Sequence, residues 1–358
     1  MMHAEVITTF SEFLQCKPLY ENILSQIEAG EDNVYNDYKW NEIWLKTYEY
    51  SVKPLIIIIY DGDTPIALFP LCTRTKRKWG VPFQHIEYVG AQACNYANFL
   101  IIRDTHSFEV FREFLQTLKG LSKSKWIYFD LSPMPAGSAN AVAFHNSAKA
   151  LSCMSEVNFS TAAPFIRFEG DWDWYLKGYV SKKLRHNLKN LINRVQREIG
   201  EIALECASPE ELDKFFDMHI KEWGSRGERS RYLEEKNREY DKLLLTNFEY
   251  ADFAKLKFGE DIVAYHLGYN YRGHFYYTRP TFDIQYSHFS PGKLLLAKLI
   301  EREIEHGTKI FDLGRGQQEY KYWFSKDELP LLALRVYRSK TIHTALRHAR
   351  CLVRGLRK

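Results

Sequence analysis

The stretch FDIQYSHFSPGKLLLAKLIEREIEHGTKIFDLGRGQQEYKYWF, residues 282–324, decides how the second half of the chain is read. It starts at the end of an aromatic run, passes a Ser-Pro-Gly turn at 290–292, and enters an apolar stripe at helical spacing. That stripe is Leu295, Leu296, Leu299, Ile300 and Ile304, with charged residues opposite. A short apolar run, KIFDL, follows, and two glycines flanking Arg315 lead away from it. Strand, helix, strand is the unit of a sheet with helices packed on its faces.

Upstream, FAKLKF-GED-IVAYHLGY, the turn NYRG and then HFYYT read as an antiparallel meander. The first half repeats the order. PLIIIIY, the turn signal at Asp61-Gly62 and TPIALFPL form a hairpin, after which SFEVFREFLQTLKG reads as a helix and WIYFDL as a strand. The expectation is an α/β (α+β) protein of two tandem, duplicated domains, each a mixed sheet flanked by helices. Ser181 as N-cap, with Leu184, Leu188, Leu191, Ile192 and Val195 on one face, opens the second domain. The division falls near 160, giving domains 1–160 and 161–334 and a basic tail, 335–358. PMPAGSAN, 133–140, is a Pro/Gly loop near the end of the first.

The 358 residues, 45% hydrophobic and 26% charged, with 23 Tyr and 23 Phe, are enough for two ordered cores. The N-terminus lacks a basic segment followed by an apolar one, and PLIIIIY is far short of a bilayer span, so a cytoplasmic protein is expected. Six scattered cysteines at no metal-ligand spacing read as reduced thiols, and no metal site is expected. A net charge of +4 gives no global argument for nucleic acid. Charge is concentrated in two places: SKKLRHNLKNLINRVQRE carries six basic residues against one Glu, and 335–358 carries eight with no acid. In the tail Leu346, Ala349, Val353 and Leu356 recur beside Arg347, Arg350, Arg354 and Arg357. This fits a helix lying on a membrane surface, at the inner face, or a terminal helix docked on the core.

At the Ser-Pro-Gly turn, Ser290 suits an N-cap, Pro291 the first helical position, and Gly292 leaves backbone amides open; with Lys293 beside them an anion could sit there. An ordinary helix start is the alternative. Beyond KIFDL, Gly314 and Gly316 allow a tight turn beside a ligand, Arg315 can grip phosphate or carboxylate, and Tyr320 and Lys321 can donate hydrogen bonds. Here the alternative is a Gly-rich turn followed by a surface helix. His266, in a strand, reads as a core histidine, and His219 with Trp223 as a pocket wall or part of a core stripe with Phe215 and Phe216.

Together KWNEIWLKTY (39–48), IALFPL, SKKLRHNLKNLINRVQREIG and the stretch 282–324 resemble the FemAB-related, CelD-type branch of the GNAT acyltransferase superfamily, associated with cellulose biosynthesis. The resemblance implies a degenerate N-terminal GNAT-like domain and a C-terminal one that transfers an acyl group from an acyl-thioester, usually acetyl-CoA or another acyl-CoA, to an amine. Ser290, Pro291, Gly292, Lys293 and Leu294 would hold the donor's pyrophosphate, and Asp312 to Lys321 would border the acceptor. Ser-Pro-Gly stands where GNAT proteins carry R/Q-x-x-G-x-G/A. FemAB proteins proper use aminoacyl-tRNA, some through a long helical arm, and no pattern for such an arm occurs here.

Acyl transfer needs a neutral amine, an oxyanion site and a proton for the thiolate. An amine of pKa ~10.4 is about 4.6 kcal/mol from neutral at pH 7, and one near ~8 only about 1.4 kcal/mol. Asp283, Glu319 and Asp312 are the candidate bases, and Tyr320 and Tyr286 the candidate acids, Tyr286 also as an acceptor contact. Arg315, Gly316 and Lys321 suit an anionic acceptor such as a phosphorylated or nucleotide-linked amino sugar. The expected partner is therefore a small amine or amino sugar of cell-envelope or exopolysaccharide synthesis. Peptidyl transfer from aminoacyl-tRNA and a non-catalytic module of polysaccharide assembly are the competing readings.

Overall fold

The computed structural model describes residues 1–28, 31–78, 81–102, 106–121, 128–151, 153–341 and 343–344. The chain divides into two units, Met1–Thr161 with Pro330–Lys358, and Ala162–Leu329.

In the first unit, strand β1 (Met2–Ile7) is followed by helices α1 (Phe10–Gln15), α2 (Lys17–Ser25) and α3 (Tyr38–Thr47). Then come β2 (Val52–Asp61), β3 (Thr64–Lys78), β4 (Val81–Tyr88), β5 (Leu100–Ile101), α4 (Ser107–Gly120), β6 (Tyr128–Pro135), α5 (Ala139–Ala150) and β7 (Met154–Arg167). The hairpin closes with Asp61 opposite Thr64, and β2, β3 and β4 run as an antiparallel meander. Helix α4 then crosses over so that β6 lies parallel to β4, Ile86 opposite Phe129. Alternation along β2 and β3 sends Leu55, Ile57, Ile59, Phe69 and Leu71 into one core, where they meet Phe111, Phe114 and Leu118 of α4. Phe69 stacks on Phe114 at 4.0 Å between ring centres. Each buried Phe contributes about 1.5–3 kcal/mol. Residues 133–135, expected in a loop, end β6, and Ser138 caps α5 by accepting from the Asn140 amide.

The second unit repeats the scheme. After the one-turn helix α6 (Trp172–Trp174) come α7 (Lys182–Glu198), β8 (Ile202–Cys206), α8 (Leu212–Ser225), α9 (Glu235–Asn247), β9 (Ala251–Phe258), β10 (Asp261–Tyr271) and β11 (His274–Phe282). Helix α10 (Pro291–Glu305), β12 (Ile310–Asp312), α11 (Glu319–Phe324) and β13 (Asp327–Tyr337) follow. Strands β8 to β11 form an antiparallel meander, and α10 carries the chain to β12, parallel to β11. The parallel pair beyond a crossover helix occurs once in each unit, which makes the mixed, duplicated architecture explicit. Ser181 caps α7, its Oγ accepting from the Leu184 amide, and Leu184, Leu188 and Val195 are buried as the spacing requires. Leu294, Leu295, Leu296, Leu299 and Ile300 of α10 fill the same core.

The strand that ends the described chain differs from expectation. β13 pairs antiparallel with β6, Arg335 opposite Asp130, so residues 330–334, read as the end of the second domain, belong to the first unit. Residues 335–337, read as the start of the tail helix, are strand. The apolar and basic positions named at 346–357 lie outside the described residues.

His266 is fully buried, stacked on Tyr277 with ring centres 4.8 Å apart, and its Nε2 accepts from the Thr278 amide at 3.2 Å. Gly268 makes room for it: a Cβ there would lie 2.3 Å from both His266 Cε1 and the Tyr276 carbonyl oxygen. Backbone cannot yield as a flexible side chain does, so Gly268→Ala should destabilise the protein by about 2–3 kcal/mol in urea unfolding. A change within about 0.5 kcal/mol would show that the ring and strand relax freely.

Candidate active site

Strands β11 and β12 are paired only from His274–Ile310 to Tyr276–Asp312. Beyond Tyr276, β11 continues to Phe282, whereas the chain leaves β12 at Asp312 and turns away. The sheet therefore opens at the carboxyl ends of two parallel strands, where ligands gather in α/β folds. The Ser-Pro-Gly turn lies after one strand and the Gly314–Gly316 loop after the other.

On the first side, Asp283 caps the 3-10 turn Ile284–Phe289, its Oδ1 accepting from the Gln285 amide at 2.9 Å. Ser290 is not a side-chain cap. It adopts a left-handed conformation, φ 53°, with no capping bond, and hands the chain to Pro291 as the first helical residue. The amides of Lys293 and Leu294 both donate to the Ser290 carbonyl, at 3.0 and 3.2 Å, and Pro291 has no N–H. Gly292 therefore supplies the one open first-turn amide among these residues, rather than the several expected from the sequence. A Cβ at Gly292 would lie 3.3 Å from the Phe282 ring. Lys293 Nζ donates to Asn187 Oδ1 at 2.9 Å and lies 4.8 Å from the centre of the exposed Trp323 ring, burial lowering its pKa. Leu294 is core, so only its backbone borders the turn. The Tyr286 hydroxyl is tied to Asp261, donating to Oδ2 at 2.7 Å.

On the second side, Gly314 has φ +72°, a region glycine enters freely, and its amide donates to Asp312 Oδ1 at 2.6 Å. Asp312 is buried, and its carboxylate shapes the turn. The Gly316 amide donates to the Ala162 carbonyl at 2.8 Å. Lys321 is buried: its Nζ donates to the Gly314 and Arg315 carbonyls, both at 2.9 Å. Burial pushes its pKa down to about 8 against the opposing charge of Asp312. It braces the loop from beneath instead of facing an anion. Arg315 and Glu319 are exposed, so of the cations proposed for this wall Arg315 is the one that faces solvent.

Tyr320 packs against the core of the unit, and its phenol is pushed up to about 12, mainly by burial, with the Arg226 charge opposing and the Glu222 charge adding. Glu222, on α8, was not among the residues singled out from the sequence. Its carboxylate is buried, Oε2 accepting from Thr281 Oγ1 at 2.7 Å and from the Phe282 amide at 3.3 Å, while Arg226 donates to Oε1. Burial raises its pKa, although Thr281, Arg226 and Phe282 all favour the ionised form. A carboxylate on the buried face of an amphipathic helix, three residues after His219 and four before an Arg, was the available signal. His219 itself is core: Nδ1 hydrogen-bonds Ser230 at 2.9 Å, the ring stacks on Trp223, and burial, with Arg231, holds its pKa down to about 4.

The structure thus places Glu222, Phe282 and Gly292 on one side of the opening with Tyr320 within reach of the Glu222 charge, and gives Asp283, Asp312, Tyr286 and Lys321 hydrogen-bond partners within the protein. Among the described residues no group of three or more His, Cys, Asp or Glu is placed to hold a metal ion. No helix among them is long and apolar enough to cross a membrane.

Residues 182–322 match the family model of the Acetyltransferase (GNAT) domain. No curated protein matches the sequence significantly. Among solved structures, FemX is similar over 96% of this chain and 99% of its own, with TM-score 0.64 and 13% identity. The tandem GNAT protein from the clavulanic acid biosynthesis pathway is similar over 95% and 99%, at 0.55 and 9%. The structure of L-PGS from Bacillus licheniformis is similar over 94% and 96%, at 0.54 and 14%. At these identities the likeness is one of fold.

Proposed function

We propose that the second unit is an acyl-CoA-dependent N-acyltransferase of the FemAB-related type, acting on an amino sugar or related cell-envelope or exopolysaccharide precursor. The observation that carries the reading is the buried Glu222 carboxylate, held by Thr281 and the Phe282 amide at the open end of β11 and near enough to Tyr320 for its charge to act on the phenol, within the segment that matches the GNAT domain. The carboxylate takes a proton from the attacking amine, and the phenol, kept protonated by burial, returns one to the departing thiolate. The positive end of α10 and the Gly292 amide receive the donor's pyrophosphate. Arg315 meets the acceptor's anionic group.

Calorimetric titration with acetyl-CoA and longer acyl-CoAs tests the donor assignment. Wild type should bind and Gly292→Glu, which sets a side chain against Phe282 and a negative charge at the phosphate position, should lose at least about tenfold in affinity with its circular dichroism unchanged. Equal binding by both proteins would remove the turn from the donor site.

The exposed basic face of α7, with Lys182, Lys183, His186 and Lys189, favours a second reading in which the donor is an aminoacyl-tRNA. Micromolar binding of charged tRNA, falling steeply with salt, together with no binding of any acyl-CoA, would select it.

A further inference from the structure

The first unit carries a buried polar cluster that the acyl-transfer reading does not use. Cross-strand register sets Arg74 of β3 opposite His85 of β4, Glu87 of β4 beside Asp130 of β6, and Asp130 opposite Arg335 of β13. Two-residue alternation places all five on one sheet face. Lys76 Nζ and His85 Nε2 reach Glu87 Oε2 at 2.8 and 3.2 Å, and Arg74 Nε lies 3.0 Å from Oε1. Burial alone would raise the Glu87 carboxyl, but the bonds from His85 and Lys76 and the two cationic charges outweigh it and hold it at about 2. Arg335 donates twice to Asp130 Oδ2.

Five buried atoms of this face have no hydrogen-bond partner; Arg74 Nε and Glu87 Oε1 meet each other as an ion pair, which leaves Arg74 Nη2, His85 Nδ1 and Asp130 Oδ1. His85 is 1% exposed. With the His85 Nε2 proton directed at Glu87, neutral Nδ1 is an acceptor, so the orphan set is one donor group and two acceptors. Leaving such groups unmet costs about 1–3 kcal/mol each. A carboxylate could take the Arg74 donor but has no proton for the acceptors, and phosphate, which keeps a proton near neutral pH, would bring its negative charge against the two carboxylates already in place. A hydroxyl both accepts and donates. The side chains of Arg74 and Asp130 are 16% and 18% exposed and those of Lys76 and Arg335 35% and 25%, so the cluster borders solvent at its margin.

We propose that this face of the first unit binds a hydroxyl-rich ligand, a sugar or polyol, through Arg74, His85 and Asp130. The site is argued from the first unit's own atoms and does not depend on the donor or the chemistry of the second.

Saturation-transfer NMR on the intact chain with N-acetylglucosamine, glucosamine and myo-inositol tests it, with inorganic phosphate as the anionic comparison. At least one hydroxylated probe should give a saturable signal that phosphate at matched ionic strength does not displace. Arg74→Met should weaken that binding by about tenfold, as loss of a hydrogen bond to a charged group does. Arg74→Lys, which keeps the stem and charge, should retain the fold and, without the forked donor, bind as weakly as Arg74→Met. No saturable signal in wild type, displacement by phosphate, or wild-type binding by both Arg74→Met and Arg74→Lys would overturn the proposal and leave the orphan atoms to water.

Discussion

Glu222→Gln should lower kcat/KM for acyl transfer by about 10²–10⁴ while leaving acyl-donor binding unchanged, the range expected for removing a general base. Glutamine keeps the size of the side chain and can still accept from Thr281 Oγ1, whose bond to Glu222 is 2.7 Å, but it cannot take a proton from an amine. The effect has a pH signature. Glu222 must be ionised to act, and burial raises its pKa above the ordinary carboxyl value, so the acid limb of kcat/KM should lie above pH 4.5 and vanish in the variant. Arg226, whose side chain is about half exposed, favours the ionised form; Arg226→Met should therefore move the limb to higher pH. Full activity in Glu222→Gln, or a loss accounted for by weaker donor binding, would remove the carboxylate from the chemistry. Tyr320→Phe provides the companion measurement, with a loss confined to thioester donors whose thiolate needs a proton.

Lys321→Met should abolish a large alkaline rise in stability. In the folded protein the Lys321 ammonium is buried and its pKa is about 8; unfolded, it returns to 10.5. Between these values the unfolded chain binds more protons than the native one, so stability rises with pH across that window and falls as pH drops through 8. The wild-type advantage over Lys321→Met should grow by on the order of 3 kcal/mol between pH 7 and pH 10.5. Taking the difference between the two proteins cancels the tyrosines, which titrate in both. The substitution also orphans the Gly314 and Arg315 carbonyls, each 2.9 Å from Nζ, so the loop should loosen and the Gly316 amide, bonded to Ala162, should exchange faster with solvent. Parallel pH profiles for the two proteins would mean that Lys321 reaches water in both states.

The residues that misled the sequence reading share a cause. Lys321 and Tyr320 are adjacent on a six-residue helix, one directed beneath the Gly314–Gly316 loop and the other packed against the core. Nothing in EYKYWF distinguishes them, because the direction of a side chain on so short a helix is set by the surface it packs against. Asp283 and Asp312 are both acids at strand ends, as a catalytic carboxylate would be. Each instead meets a backbone amide two residues on, a local bond that short acidic side chains form readily. Ser290 looked like a cap, yet the chain enters α10 from a preceding 3-10 turn, which forces it into a left-handed conformation.

The sequence alone determined the hairpins, the strand–helix–strand unit of each half, the Ser181 cap, the apolar stripes of α7 and α10, the buried His266 and the duplicated architecture. These depend on two periodicities and on turn and cap preferences that act within a few residues. Only the tertiary structure decided that β13 returns to pair with β6, that the Glu222 carboxylate is buried against Thr281 and Phe282 with its charge acting on Tyr320, and that Lys321 points inward. The first two outcomes join residues roughly 60 to 200 positions apart, and all three are selected by which buried polar groups can be satisfied together, a condition no local window of sequence contains.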